Sequence, residues 1–456
     1  VALFLMDNTS YFGGGVIVNP LLAAVCALLA AHFFSSWFYS FYKTGWKIDF
    51  WYFNVGLTVM IPLVFFYPLA GSQFNIPAVG VGYEKIVGCI NYAFIICVIG
   101  YVGLWLGRYL YDVLGRKKFT FKQFNWFERI QYSNGCGQLS LSIISLVYGI
   151  LLLGFIVLLN ALGYLQDPRS YFLKHADLRP LYNGLIATNS IVCTMLFCRF
   201  LTSKKWPDLV FLLVLIMGSL FLGTRGASLY VMLSFIVIYS FCHPKKVKLL
   251  NLFLCAVSLV ICALLMDAIR NKTSIMDAFN GFFLNLLYGN NFSDLRDFSW
   301  VLSYWDGEYW MGKSYLAAVI SFIPREFSDF RGQWAIGVMT AKLAGLDITN
   351  HAGLRVGIFG EAFFNFGIFG VFLIGVIAGA ALRMADLRIK ALLKLNPTSY
   401  NSLVTPYFLA ASFFITAGFY TVYVFFIFHL SLYMLRNFFH EVMGKPVLPM
   451  RISIPL

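Results

Sequence analysis

A chain built of successive bilayer-length apolar runs, broken once by a long polar segment, has few ways to fold. In hydrocarbon every backbone N–H and C=O must find a partner within the chain, which leaves helices or a closed barrel. The runs here are continuous rather than alternating, so the expected fold is an all-α polytopic integral membrane protein. Of the 456 residues, 60% are hydrophobic and 12% charged, against about 45–50% and about 25% in soluble domains. A formal net charge of +14 would raise nucleic acid as a partner in a soluble protein. In this chain, basic cytoplasmic loops account for it.

A span needs about 20 helical residues. Candidates are Val16–Tyr42, Trp51–Leu69, Val87–Gly107, Leu139–Leu162, Gly184–Leu201, Leu209–Leu222, Ser228–Phe241, Leu249–Ala268 and Val356–Leu382. Leu403–Met434 is too long for one span and divides near Gly418, Tyr420 and Tyr423. The total is about eleven transmembrane helices. We expect a single membrane domain over 1–456, with an extracytoplasmic loop subdomain of short helices inserted at 270–354.

Lysine and arginine in the loops orient the chain. Arg116, Lys117, Lys118 and Lys122, then Lys204–Lys205, Lys245–Lys246 and Arg383–Lys394, belong in the cytoplasm by the positive-inside rule. The N-terminus then lies outside and the C-terminus inside. The first run lacks a basic lead-in and a small-residue cleavage site, so it is expected to stay as a membrane helix. Lys118–Ile130, rich in Phe and Trp, reads as an interfacial amphipathic helix or a plain basic anchor. The nine cysteines stand singly and form neither a disulfide framework nor a metal spacing, so buried thiols are expected.

The polar segment Arg270–His351 and the mouth of the next run hold Arg296, Arg325, Arg331, Glu326, His351, Arg355 and Glu361. Arginine in excess of carboxylate suits an anionic, phosphate-bearing ligand, because the guanidinium fork matches phosphate oxygens. Arg225 sits between glycines in Gly223–Thr224–Arg225–Gly226, where it faces a cavity or snorkels at a helix end. Arg296 lies between Asp294 and Asp297, so an Arg–Asp surface network is the competing reading. Pro324 fixes a turn before Arg325, whose alternative is a bridge to Glu326 or Asp329. Trp305, Tyr309, Trp310 and Tyr315 can form a sugar-stacking ledge or an interfacial belt. Glu361 and Asn365 are four apart and share a helix face. A carboxylate inside a span is a functional candidate, against pairing with Arg355. Gly367, Gly370, Gly375 and Gly379 are read as close-packing positions.

The chain carries no P-loop, zincin, nucleophile-elbow or kinase motif. No DxD-like pair lies in an external loop, which argues against a metal-held nucleotide-sugar donor. No metal or other cofactor is expected.

Taken in order, the Gly223–Gly226 turn, Arg296–Phe298, Gly312–Tyr315, Ile323–Arg325, Asn350–Leu354 and Gly360–Gly367 resemble the motifs of the Wzy-type polysaccharide polymerases, which make O-antigen and enterobacterial common antigen. The motifs cover Gly223 onward, and the layout of spans covers the whole chain. The resemblance implies a bacterial inner-membrane enzyme with its active site facing the periplasm. It would transfer a growing chain from undecaprenyl diphosphate to the non-reducing end of a new lipid-linked unit. A flippase and a chain-length regulator are the implied partners. Arg225, Arg296 and Arg325 would then hold the diphosphates, Arg355, Tyr315 and Trp310 would line the substrate, and His351 or Glu361 would take the acceptor's proton. An O-antigen ligase using the same donor is the nearest alternative. A lipid-linked oligosaccharide flippase is disfavoured by the nearly uncharged early spans.

Overall fold

The computed structural model describes residues 19–43, 49–70, 82–115, 135–165, 178–221, 292–323, 327–347 and 353–395, with isolated positions at 168–175, 231–281 and 427–442. All described elements are helical. Five helices are long and apolar enough to cross a bilayer: Pro20–Lys43, Tyr83–Leu114, Leu139–Ala161, Leu181–Leu201 and Gly357–Leu387. The class read from the sequence is therefore that of an α-helical membrane protein. Lys118–Ile130 lies wholly, and Ser228–Phe241, Leu249–Ala268 and Leu403–Met434 for the most part, outside the described residues.

The chain forms two compact units. The first, Val1–Arg116 with His243–Asp386 and Ala410–Tyr420, carries the elements of interest. Helix α1 (Pro20–Lys43) starts where the Asn19 side chain accepts from Leu21 N–H and ends on Lys43, whose cation suits a helix C-terminus. Helix α2 (Phe50–Val55) is capped by Asp49, whose carboxylate accepts from Trp51 N–H. It continues as a wider π winding over Gly56–Phe65, which contains Pro62; proline has no N–H to give and crowds the preceding turn. Short helices α3 (Tyr67–Ala70) and α4 (Tyr83–Gly88) lead to α5 (Ile90–Leu110).

In a bilayer, apolar side chains gain little by leaving lipid, so close packing holds helices together. Gly100, Gly103 and Gly107 of α5 interlock with α13 (Gly357–Leu395) at Gly375 and Gly379. A Cβ at Gly103 would lie 2.6 Å from the Phe372 carbonyl oxygen, so only glycine allows this approach. The packing role read for Gly375 and Gly379 is what the structure displays. Toward the far end of α13, Arg383 bridges Asp112 and Asp386, each at 2.9 Å. Asp386 also accepts from Phe50 N–H, tying α13 to the start of α2.

Helix α9 (Asp294–Ser303) comes from the polar segment, yet Leu295, Phe298 and Val301 are fully buried in the same core as Val59, Phe94 and Phe359. Its Ser299 hydroxyl donates to the Ile86 carbonyl. Helices α10 (Lys313–Val319), α11 (Asp329–Trp334) and α12 (Ile336–Leu343) follow. The Lys313 ammonium lies 4.0 Å from the Trp334 ring centre, linking α10 to α11.

The second unit comprises Lys117–Cys242, Leu387–Leu409 and Thr421–Leu456. Its described helices are α6 (Gly135–Ala161), α7 (Arg179–Ser203) and α8 (Trp206–Phe221). Lys204, in the left-handed conformation with φ 55°, turns the chain between α7 and α8. Arg199 then grips Asp208 through Nε at 3.0 Å and Nη2 at 2.6 Å, and Ser142 of α6 at 2.7 Å. A bidentate pair of this kind fixes the three helices in register.

Candidate functional site

Helix α13 is broken at Gly367, where φ is 66° and ψ −161°, a conformation only glycine takes readily. The break releases the carbonyls of Phe364 and Asn365 from the helical ladder. Trp310 N–H donates to the first at 2.9 Å and Met311 N–H to the second at 3.2 Å. Positive φ at Gly307, Met311 and Gly312 lets this loop fold back onto the helix. Broken backbone at membrane depth persists only where protein satisfies the freed groups. Gly367 thus serves the break rather than close helix packing, and the Tyr309 ring occupies the space a side chain there would need.

Just before the break, the expected face of Glu361 and Asn365 is buried, at 3% and 0% exposure, with Ser314 of α10 at 1%. The Ser314 hydroxyl donates to Glu361 Oε1 at 2.8 Å. Asn365 Nδ2 donates to Ser314 Oγ at 2.7 Å and to the Glu361 carbonyl at 2.8 Å. Both amide hydrogens are spent, while Asn365 Oδ1 has no partner among the described residues. The Tyr315 hydroxyl is likewise buried without a partner among them. Burial pushes that hydroxyl well above the usual phenol range, and neighbouring Glu361 pushes it the same way, so it remains a proton donor. Glu361 has no ion pair among the described residues. Burying a carboxyl without a cation costs several kcal/mol, and such groups inside membranes mark functional sites.

Aromatic rings pack against one another beside the break. Trp305 lies 5.2 Å from both Tyr309 and Phe363, Trp310 stacks 5.0 Å from Phe364, and Tyr315 lies parallel to Phe366 at 6.1 Å. Trp310 is buried at 4% exposure and belongs to the core, whereas Tyr309 is exposed.

A second polar cluster gathers at the start of α9. Arg296 is buried and turns onto Asp297 Oδ1, with Nε at 3.0 Å and Nη2 at 2.7 Å. Asp297 Oδ2 also accepts from the Ser293 hydroxyl and the Arg355 backbone N–H. The Arg355 guanidinium reaches Ser293 Oγ at 3.3 Å, and the residue is exposed. The network considered for Arg296 is therefore present, buried rather than on the surface. Arg355 joins that network instead of pairing with Glu361.

Burial pushes the Asp294 carboxyl up to about 6; Arg355 opposes the shift and Asp297 adds to it. The folded protein therefore binds this proton more tightly than the unfolded chain, whose value is about 3.9. Stability supplied by the protonated form is complete below about pH 4 and is lost as pH rises through about 6. Asp294→Asn is expected to melt higher than wild type at about pH 7.5, with the difference vanishing near pH 4. Detergent-solubilised protein followed by intrinsic fluorescence tests this, and a pH-independent difference would reject it.

Of the residues assigned a role in the sequence, Glu361, Tyr315, Trp310, Arg296 and Arg355 are described: the first two lie beside Ser314 and Asn365, and the two arginines gather around Asp297 and Ser293, while Arg331 donates to the Ile323 carbonyl. Arg225, Arg325 and His351 lie outside the described residues. Ser314 was not singled out, although it stands in the quoted Gly312–Tyr315 motif; no local pattern marks a serine whose partner is 47 residues away. No family model matches the chain, and neither a curated protein nor a solved structure matches it significantly.

Proposed function

We propose that this membrane protein is a polysaccharide polymerase acting on undecaprenyl-diphosphate-linked oligosaccharides at the periplasmic face of a bacterial inner membrane. The observation that carries the reading is the buried Glu361 carboxyl, held by Ser314 just before a helix break. In the proposed step an acceptor hydroxyl attacks the anomeric carbon of the donor. The bond from that carbon to the diphosphate oxygen breaks, and its electron pair leaves on the diphosphate. The hydroxyl proton passes to Glu361 as general base.

Guanidinium groups placed where negative charge grows would favour departure of the diphosphate. Exposed Arg355 suits that task among the described arginines, and Arg225 and Arg325 are assigned to it from the sequence. Arg296 keeps its assignment to the diphosphates only if Asp297 releases it, so Arg355 is the stronger candidate. His351 is the alternative base. The reaction as proposed needs no metal or cofactor.

The test is a gel of surface polysaccharide from a strain lacking the gene. A ladder collapsing to one repeat unit on its normal acceptor is expected. Loss of even that band, with lipid-linked polymer accumulating, would instead mean a ligase. Single lipid-linked units stranded on the cytoplasmic side would mean a flippase. An unchanged ladder would reject all three.

A further inference from the structure

The polar groups at the helix break specify a ligand more narrowly than the reaction does. Among the described residues, three groups there are unequally satisfied. Glu361 carries a carboxyl with one hydrogen-bond donor, Ser314. Asn365 is fully buried, has spent both N–H groups and keeps an unfilled acceptor in Oδ1. Tyr315, next to Ser314 in the chain, keeps an unfilled hydroxyl. Its ring is held parallel to Phe366, the residue after Asn365. Buried polar atoms are rarely left unpaired.

We propose that Glu361, Asn365 and Tyr315 form a binding subsite for a neutral ligand hydroxyl, that of the acceptor sugar. A hydroxyl both donates and accepts, so it can give its hydrogen to Glu361 or Asn365 Oδ1 while accepting from Tyr315. A phosphate oxygen has no hydrogen to give and would face a carboxylate and an amide oxygen, so the diphosphate belongs elsewhere. Ser314 acts as a positioning residue: with Asn365 filling one of its lone pairs, its own hydrogen is directed onto Glu361 Oε1. This inference deepens the polymerase reading by assigning the acceptor to one subsite.

Tyr315→Phe is the informative variant, because the hydroxyl it removes has no partner among the described residues. Full-length protein in lipid nanodiscs is titrated with the diphosphate-free repeat-unit oligosaccharide of its own strain, and binding is read by thermal shift. The variant is expected to melt at or above wild type without ligand and to bind about tenfold more weakly, as for loss of one hydrogen bond. Equal affinity overturns the subsite, as does failure of wild type to bind the oligosaccharide. Stabilisation by inorganic pyrophosphate that Tyr315→Phe abolishes also overturns it. Polymer formation from lipid-linked units is read separately in the same preparation. Tyr315-dependent binding without polymer keeps the subsite and rejects the polymerase, whereas polymer with Tyr315-independent binding does the reverse.

Discussion

Glu361→Gln is expected to reduce surface polysaccharide to single repeat units while leaving the protein folded. Glutamine has nearly the same shape, and its carbonyl oxygen can still accept from Ser314, so the buried contacts of α10 and α13 survive. What disappears is the capacity to take a proton. Loss of a general base commonly costs about 10²–10⁴ in rate, enough to empty a ladder whose length depends on many successive transfers. The measurement is a polysaccharide gel beside a melting curve of the purified variant. A full ladder from folded protein would remove Glu361 from the chemistry and shift attention to His351. A lost ladder from unfolded protein would show a structural role, which the isosteric change is chosen to avoid.

The second large effect is structural. Gly379→Val is expected to leave little folded protein, because a side chain there meets the Leu104 backbone rather than a yielding side chain. The same holds in the other direction, where Gly107 abuts Val376. The side chain would also crowd the hydrogen bond that the Gly379 carbonyl accepts from Trp51 Nε1 of α2 at 3.2 Å. Overpacking against side chains that can yield typically costs about 1–3 kcal/mol; here backbone stands on both sides and cannot rotate away, so the cost exceeds that range. Against a total stability of about 5–15 kcal/mol, the loss is visible as a collapsed monodisperse peak in size-exclusion chromatography. Gly154 is the control: a Cβ there meets nothing within 4 Å, so Gly154→Ala is expected to match wild type or melt slightly higher. Equal behaviour of the two variants would contradict the interlocked packing.

Hydropathy was legible because it is local. A run such as Val87–Gly107 must be helical in lipid whatever surrounds it, and the structure extends that helix to Tyr83–Leu114. The shared face of Glu361 and Asn365 was equally legible, since it follows from the helical period alone. Trp310 was read as part of a sugar-stacking ledge or an interfacial belt and is buried in the core, because burial of one ring depends on neighbours that periodicity cannot name. Arg296 carried two open readings, and the pair it forms with Asp297 at 2.7 Å inside a buried helix depends on packing that the sequence does not show.

By itself, then, the sequence determined a chain of membrane helices and placed a carboxyl on the inner face of one of them. Tertiary structure alone decided that this helix breaks at Gly367, and that Ser314 meets Glu361 and Asn365 across 47 and 51 residues. The physical reason is that covalent neighbours set backbone conformation, whereas the partner of a buried polar group is whichever distant segment can satisfy it without leaving another group unpaired.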